Sequence, residues 1–137
     1  MYYVGNYEGA PHCEKPAPYT RTLRVLLSPQ LDPTQGDLAA GLTELPPGSK
    51  SDWRGHEEGQ NTEEGEMFFC VKGHGHMRLG DDLFELKPCT TVYAPPGVPH
   101  QTFNDEDGGD MVLLWVLVPP FGGDRAIVEE WERRKEV

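Results

Sequence analysis

Glycine and proline cut this chain into short pieces. Sixteen glycines and 13 prolines are spread over 137 residues, between apolar stretches such as RTLRVLL (Arg21–Leu27), EMFFCVK (Glu66–Lys72) and MVLLWVLV before Pro119. A helix bundle needs longer uninterrupted runs, because proline removes a helix hydrogen bond and glycine favours turns. Pieces of this length suit strands joined by tight turns.

Residues 1–20 hold Pro, Tyr and Gly without a period and read as an arm over the body. Arg21–Leu27 is a first strand, and Leu38–Gly48 a second, stopped by Pro46, Pro47 and Gly48. Ser49 to Gly65 is a long, acidic loop, and long loops in compact domains are often functional. Glu66–Lys72 is a strand followed by a turn at Gly73 and Gly75. Met77–Leu79 resumes, and Gly80-Asp81 marks a second hairpin. TTVYA and HQTFN flank a proline-glycine turn, and Met111–Pro120 is the most apolar strand. Only DRAIVEEWERRKEV is helical: Ile127, Val128 and Trp131 share one face, and Asp124 is placed to cap it. A single all-β sandwich or barrel with a terminal helix is expected.

Charge narrows the partners. The net charge is −11, and no Lys/Arg cluster offers a groove to nucleic acid or a patch to an anionic membrane. No apolar run reaches the about 18 residues of a membrane span, and the N-terminus lacks the basic start and apolar core of a signal peptide. Three cysteines, Cys13, Cys70 and Cys89, cannot all pair. Buried free thiols in a reducing cytoplasm are expected.

Two stretches carry a resemblance. CTTVYAPPGVPHQTFN runs Cys89, five residues, Pro95, Pro96, Gly97, two residues, His100, three residues, Asn104. This is similar to the second motif of the cupin superfamily, G-x5-P-x-G-x2-H-x3-N, with Cys89 in place of the first glycine. The first motif ends E-x6-G, which is Glu66 to Gly73 here, and Pro47-Gly48 sits where that motif begins. The resemblance covers roughly Leu38 to Pro120. It implies a jelly-roll barrel of two sheets around a pocket, with Glu66 and His100 as metal ligands.

The first motif departs from the family at its H-x-H. Gln60 and Thr62, or Gly59 and Asn61, occupy those places, and the loop is longer than usual. His56 is the nearest histidine, so His56 and Gln60 are the candidates to complete the set begun by Glu66 and His100. Two imidazoles and a carboxylate would suit Fe(II) first, with Mn, Ni or Zn as alternatives.

Alternation along the strands gives a separate check. If Glu66 faces inward, so do Phe68 and Cys70; if His100 does, so do Thr102 and Asn104. A carboxylate buried there needs a partner, and a cation shared with His100 is the simplest one. Tyr93, Arg78 and Arg54 are candidates to touch substrate, with Arg78 able to grip a carboxylate if it faces inward. His74 and His76 are expected at the surface beyond the Gly73 turn, and Trp53 and Trp115 as packing residues. Phe69, Val71 and Phe103 face outward and call for cover by the arm or by a second copy in a homodimer.

Three functions stay open: a metal-dependent enzyme on a small polar or carboxylated molecule (dioxygenase, lyase, decarboxylase or isomerase), a non-catalytic small-molecule-binding cupin with a degenerate or absent metal site, and metal-independent acid–base catalysis by His100 against Tyr93.

Overall fold

The computed structural model describes residues 2–32, 35–53, 64–105, 109–120 and 122–135. Nine strands and one helix are described, in the order β1 His12–Lys15, β2 Arg21–Leu27, β3 Ala39–Leu45, β4 Gly65–Lys72, β5 Gly75–Leu79, β6 Asp82–Leu86, β7 Thr91–Ala94, β8 His100–Asn104, β9 Met111–Val118 and α1 Gly123–Lys135. They form a six-stranded sheet, β1-β2-β3-β9-β4-β7, and a three-stranded sheet, β6-β5-β8. All pairings are antiparallel. This is an all-β jelly roll with a short C-terminal helix.

The alternating strands bury one face. On β3, Ala39, Gly41, Thr43 and Leu45 turn inward, and on β9 Met111, Leu113, Trp115 and Leu117 do. Met77 and Leu86 of the smaller sheet meet them in one core cluster with Leu45 and Leu113. Fully burying a side chain of this size stabilises by about 1.5–3 kcal/mol, so this contact between sheets is the main hold on the fold. Gly41 makes room in it: a Cβ there would run into the Arg24 carbonyl and the Trp115 indole.

Turn chemistry explains the motif glycines. Gly73 has φ +99°, and a Cβ on it would lie 2.8 Å from Met111 Cα. Cys89, standing where the family pattern has glycine, has φ +70°. Thr90 N–H donates to the Lys87 carbonyl at 3.0 Å, closing a turn with Pro88 then Cys89 at its centre. Such a turn needs a positive φ at its second central residue, which glycine adopts without steric cost.

The arm expected over residues 1–20 is more than a cover. Its end forms β1, which pairs with β2 through Cys13↔Leu23 and Lys15↔Arg21. Its start packs on the outer face of β2 and β3: the Tyr7 hydroxyl donates to Glu44 at 2.9 Å and Arg24 lies over the Tyr7 ring at 4.1 Å. It therefore sits at the opposite end of the sheet from Phe69 and Val71, and Val71 is 50% exposed.

Helix α1 is tied down at its first turn. Gly122 O accepts the Ala126 N–H, so the helix starts there and Asp124 lies inside it rather than capping it. The buried Asp124 carboxylate instead accepts the Ser28 hydroxyl at 2.5 Å. Ile127 and Val128 are buried, and Trp131 meets the His12 ring at 4.5 Å. Among the described residues, no helix is long and apolar enough to cross a membrane. The three cysteines are free; Cys13 and Cys70 are buried, but Cys89 is exposed, contrary to the expectation of a buried thiol.

Candidate functional site

A cavity of about 430 Å³ opens between the sheets, β1 and α1. That volume suits one small molecule. β4 supplies Glu66 and Phe68 to its wall and β8 supplies His100 and Thr102, so strand alternation works as expected there. Cys70 and Asn104 also turn inward but lie outside the cavity lining. Asn104 is a clamp, its side-chain amide donating to Leu45 O at 2.9 Å and Gly109 O at 3.0 Å.

At the centre, His100 Nε2 lies 3.1 Å from Glu66 Oε1, with side chains 13% and 19% exposed. Phe68 meets the His100 ring edge-on at 5.3 Å between centroids. His100 Nδ1 lies 3.3 Å from the Val98 carbonyl. A carbonyl only accepts, so that contact calls for a proton on Nδ1. With one ring proton spent there, Nε2 would turn a lone pair towards a carboxylate oxygen. A proton, on the ring or on the carboxyl, or a cation between them satisfies the contact. Two ligands of one ion, each about 2.0–2.2 Å from it, also sit at about this separation.

The pair therefore fits a divalent metal in chemistry and spacing. Among the described residues, no group of three or more His, Cys, Asp or Glu side chains gathers to hold one. His56, Gln60 and Arg54 lie outside the described residues.

Two expectations are corrected. Tyr93 is 54% exposed and pairs with Met67, the residue that alternates away from Glu66 and Phe68. Its hydroxyl lies against Gly65 on the outer face, so it does not serve His100 as an acid–base partner. Arg78 sits between the inward Met77 and Leu79 and faces out. Its guanidinium stacks over Trp53 at 4.3 Å and its Nε donates to Gly80 O at 3.1 Å. Trp115 does pack in the core, and it also lines the cavity.

Other lining residues come from places that no motif marks. Arg21, 5% exposed, donates to Tyr19 O at 2.8 Å and Asp52 Oδ1 at 3.1 Å. β1 adds Cys13 and Lys15, and α1 adds Glu130 and Arg133. Burial pushes the Cys13 thiol above its ordinary pKa, with the charge of Lys15 pulling the other way, so it remains a neutral thiol at pH 7. The alternation Arg21, Leu23, Val25 along β2 was the one signal in the sequence for any of these.

A second histidine cluster lies at the surface. His74 Nδ1 is 2.8 Å from Asp105 Oδ2, His74 Nε2 is 3.1 Å from Glu85 Oε1, and His76 Nδ1 is 3.2 Å from Asp105 Oδ1. Both nitrogens of His74 face carboxylates, an arrangement that favours the doubly protonated ring. Hydrogen bonds to Glu85 and then Asp105 raise its pKa, against some desolvation.

Comparison with known proteins agrees with this fold. The profile of the family described as "Cupin domain" matches residues 41–117. A glucose-6-phosphate isomerase of Thermococcus litoralis is 33% identical over 95 residues, which are 63% of this chain and 48% of that protein, so the chain spans about half the length of that relative. A protein from Thermotoga maritima described as a predicted oxalate decarboxylase superposes with a TM-score of 0.69 at 17% identity, over 86% of this chain and 100% of that one. A cupin-2 domain from Rhodospirillum rubrum superposes with a TM-score of 0.68 at 18% identity, over 95% and 88%. At such identities the two structures speak for the fold alone. With a jelly roll, both motif residues Glu66 and His100 in one cavity and more than half the chain matched, the chain belongs to the cupin family.

Proposed function

We propose that this chain is a metal-dependent cupin enzyme acting on a small polar or carboxylated molecule, with Glu66 and His100 as two of the ligands. The observation that carries the reading is the placement of His100 between the Val98 carbonyl and the Glu66 carboxylate. Val98 orients the ring, as outer-shell carbonyls do for metal-bound histidines. Phe68 fixes it from the side. A divalent ion held there, Fe(II), Mn, Ni or Zn, would polarise a chelating substrate or activate dioxygen. Thr102 and Thr43 offer hydroxyls to the substrate beside the pair, and the Arg21–Asp52 pair forms a charged but internally neutralised wall. The relatives named above include an isomerase and a proposed decarboxylase, so the fold does not select the reaction type.

Metal analysis of the purified protein is the test. The reading expects a transition metal near one per chain and a fall in Tm on chelation. If fewer than about a tenth of chains carry metal and a chelator leaves Tm unchanged, the reading fails, because a metal that binds the native state has to stabilise it. That outcome would favour the second reading, a metal-free binding cupin. There, a shared proton makes the 3.1 Å contact a direct histidine–carboxyl hydrogen bond.

A further inference from the structure

We propose that the mouth of the cavity is an anion subsite, in which Lys15 of β1 and Arg133 of α1 hold the carboxylate or phosphate end of the molecule whose other end reaches Glu66 and His100. The inference rests on the cavity being the substrate site, as proposed above. It deepens that reading by assigning a ligand charge and two specificity residues.

Among the described residues, four carboxylates and three cations line the cavity, and each carboxylate is engaged. Glu66 faces His100, and Asp52 accepts from Arg21. Glu130 accepts from Arg134 at 2.9 Å. Glu64 lies beside the start of α1, its Oε1 3.4 Å from where a Gly123 Cβ would be, the end of a helix that favours a negative charge. Of the three lining cations, Arg21 is taken up by Asp52. Lys15 and Arg133 have no carboxylate within ion-pair distance among the described residues. The charge of Lys15 is felt by Glu130 and Cys13, which places it at the junction of β1 and α1. In a chain with 23 acidic and 12 basic residues, two cations that line one cavity with no carboxylate at ion-pair distance among the described residues are candidates to meet a ligand.

The residue types suit that role. An arginine presents a fork that matches carboxylate or phosphate oxygens, and a lysine adds a compact charge. Arg133 is exposed and Lys15 half-buried, so neither pays a large desolvation cost before the ligand arrives. Both lie outside residues 41–117, the part that matches the family. The inherited barrel would then carry the reactive centre, and the terminal elements would carry the selectivity.

The experiment uses the full chain and three matched probes, D-glucose, D-glucuronate and D-glucose 1-phosphate, with calorimetric titration before and after chelation. At least one acid is expected to bind about 10-fold or more tightly than glucose, and Lys15→Met/Arg133→Met is expected to abolish that preference. Which acid loses more tells carboxylate from phosphate. The single variants Lys15→Gln and Arg133→Gln, with Tm checked, guard against a folding defect in the double one. If neither acid binds, if glucose binds as well as both, or if the preference survives in variants that fold, the subsite is refuted. Metal content separates this from the parent reading. A metal-free protein that still prefers an acid keeps the subsite and loses the metal. A metal-loaded protein that treats all three probes alike does the reverse.

Discussion

Among the described residues, two histidine–carboxylate arrangements have nearly the same contact distances and different surroundings. His100 and Glu66 meet at 3.1 Å with side chains 13% and 19% exposed. His74 meets Glu85 at 3.1 Å with side chains 50% and 56% exposed, and Asp105 at 2.8 Å. In the first, little water reaches the charges, so their interaction is strong and a missing partner is costly. In the second, water screens each charge, and exposed ion pairs contribute little. Distance alone does not mark a functional site; burial beside a cavity does.

The largest expected effect breaks the first arrangement. Glu66→Gln keeps the shape and removes the charge. It should reduce metal affinity at least about 100-fold, since even outer-shell changes cost about 10–100-fold. The matching change at the surface, Glu85→Gln, should leave metal content alone. Metal analysis of both purified variants is the check. Equal losses, or none in Glu66→Gln, would erase the distinction between the two arrangements.

Stability makes the next contrast. His100→Ala strips Glu66 of its partner in a largely enclosed place. An unsatisfied buried polar group costs about 1–3 kcal/mol, so Tm in metal-free buffer should fall by several degrees. A double variant, His100→Ala with Glu66→Leu, removes both polar partners and should recover much of that loss. Thermal unfolding of the two side by side shows whether the cost comes from the abandoned carboxylate. A double variant as unstable as the single one would point to lost packing against Phe68 instead.

A framework change should move stability without touching either arrangement. Cys89 holds a left-handed conformation that costs a non-glycine residue about 1–2 kcal/mol. Glycine removes that strain, while its freer unfolded chain takes back about 0.4–1 kcal/mol. Cys89 is exposed, so no packing is lost. Cys89→Gly should therefore gain about 0.5–1 kcal/mol, raising Tm by roughly 2–4 °C for a domain of this size. Metal content and the His74 titration should stay as they were.

Cys89 also shows what was legible beforehand. The departure from the glycine of the motif is visible in the letters, and the turn gives it a physical meaning. Features set by a few neighbouring residues could be read in this way: the Gly73 turn, the strand at Arg21–Leu27, and the inward set of Glu66, Phe68, His100 and Thr102. Tyr93 and Arg78 were misplaced because their direction depends on which residue the partner strand offers, and that is settled by Met67↔Tyr93 and by the inward Met77. Lys15 and Arg133 could not be read at all. They meet the cavity only because β1 and α1 close over it from opposite ends of the chain. His56 and Gln60 fall outside the described residues.

The smallest expected effect belongs to the surface arrangement, and its sign is definite. His74 is raised above its ordinary pKa by Glu85 first and Asp105 second. A group with a raised folded-state pKa stabilises fully below its unfolded value, about 6.5 for histidine. That contribution disappears as pH rises through the folded value. His74→Ala should therefore differ from the parent chain more at acid pH than at alkaline pH, and added salt should shrink the difference. The groups facing His74 are Glu85 on β6 and Asp105 after β8, with His76 sharing Asp105. Because His76 shares Asp105 with it, a bulk stability curve mixes the two rings. NMR titration of the His74 ring separates them. Its midpoint should lie above 6.5 in the parent chain and move down in Glu85→Gln. A midpoint at the ordinary value in both would mean that solvent has already cancelled the pair, and that the two bonds drawn to His74 carry no free energy.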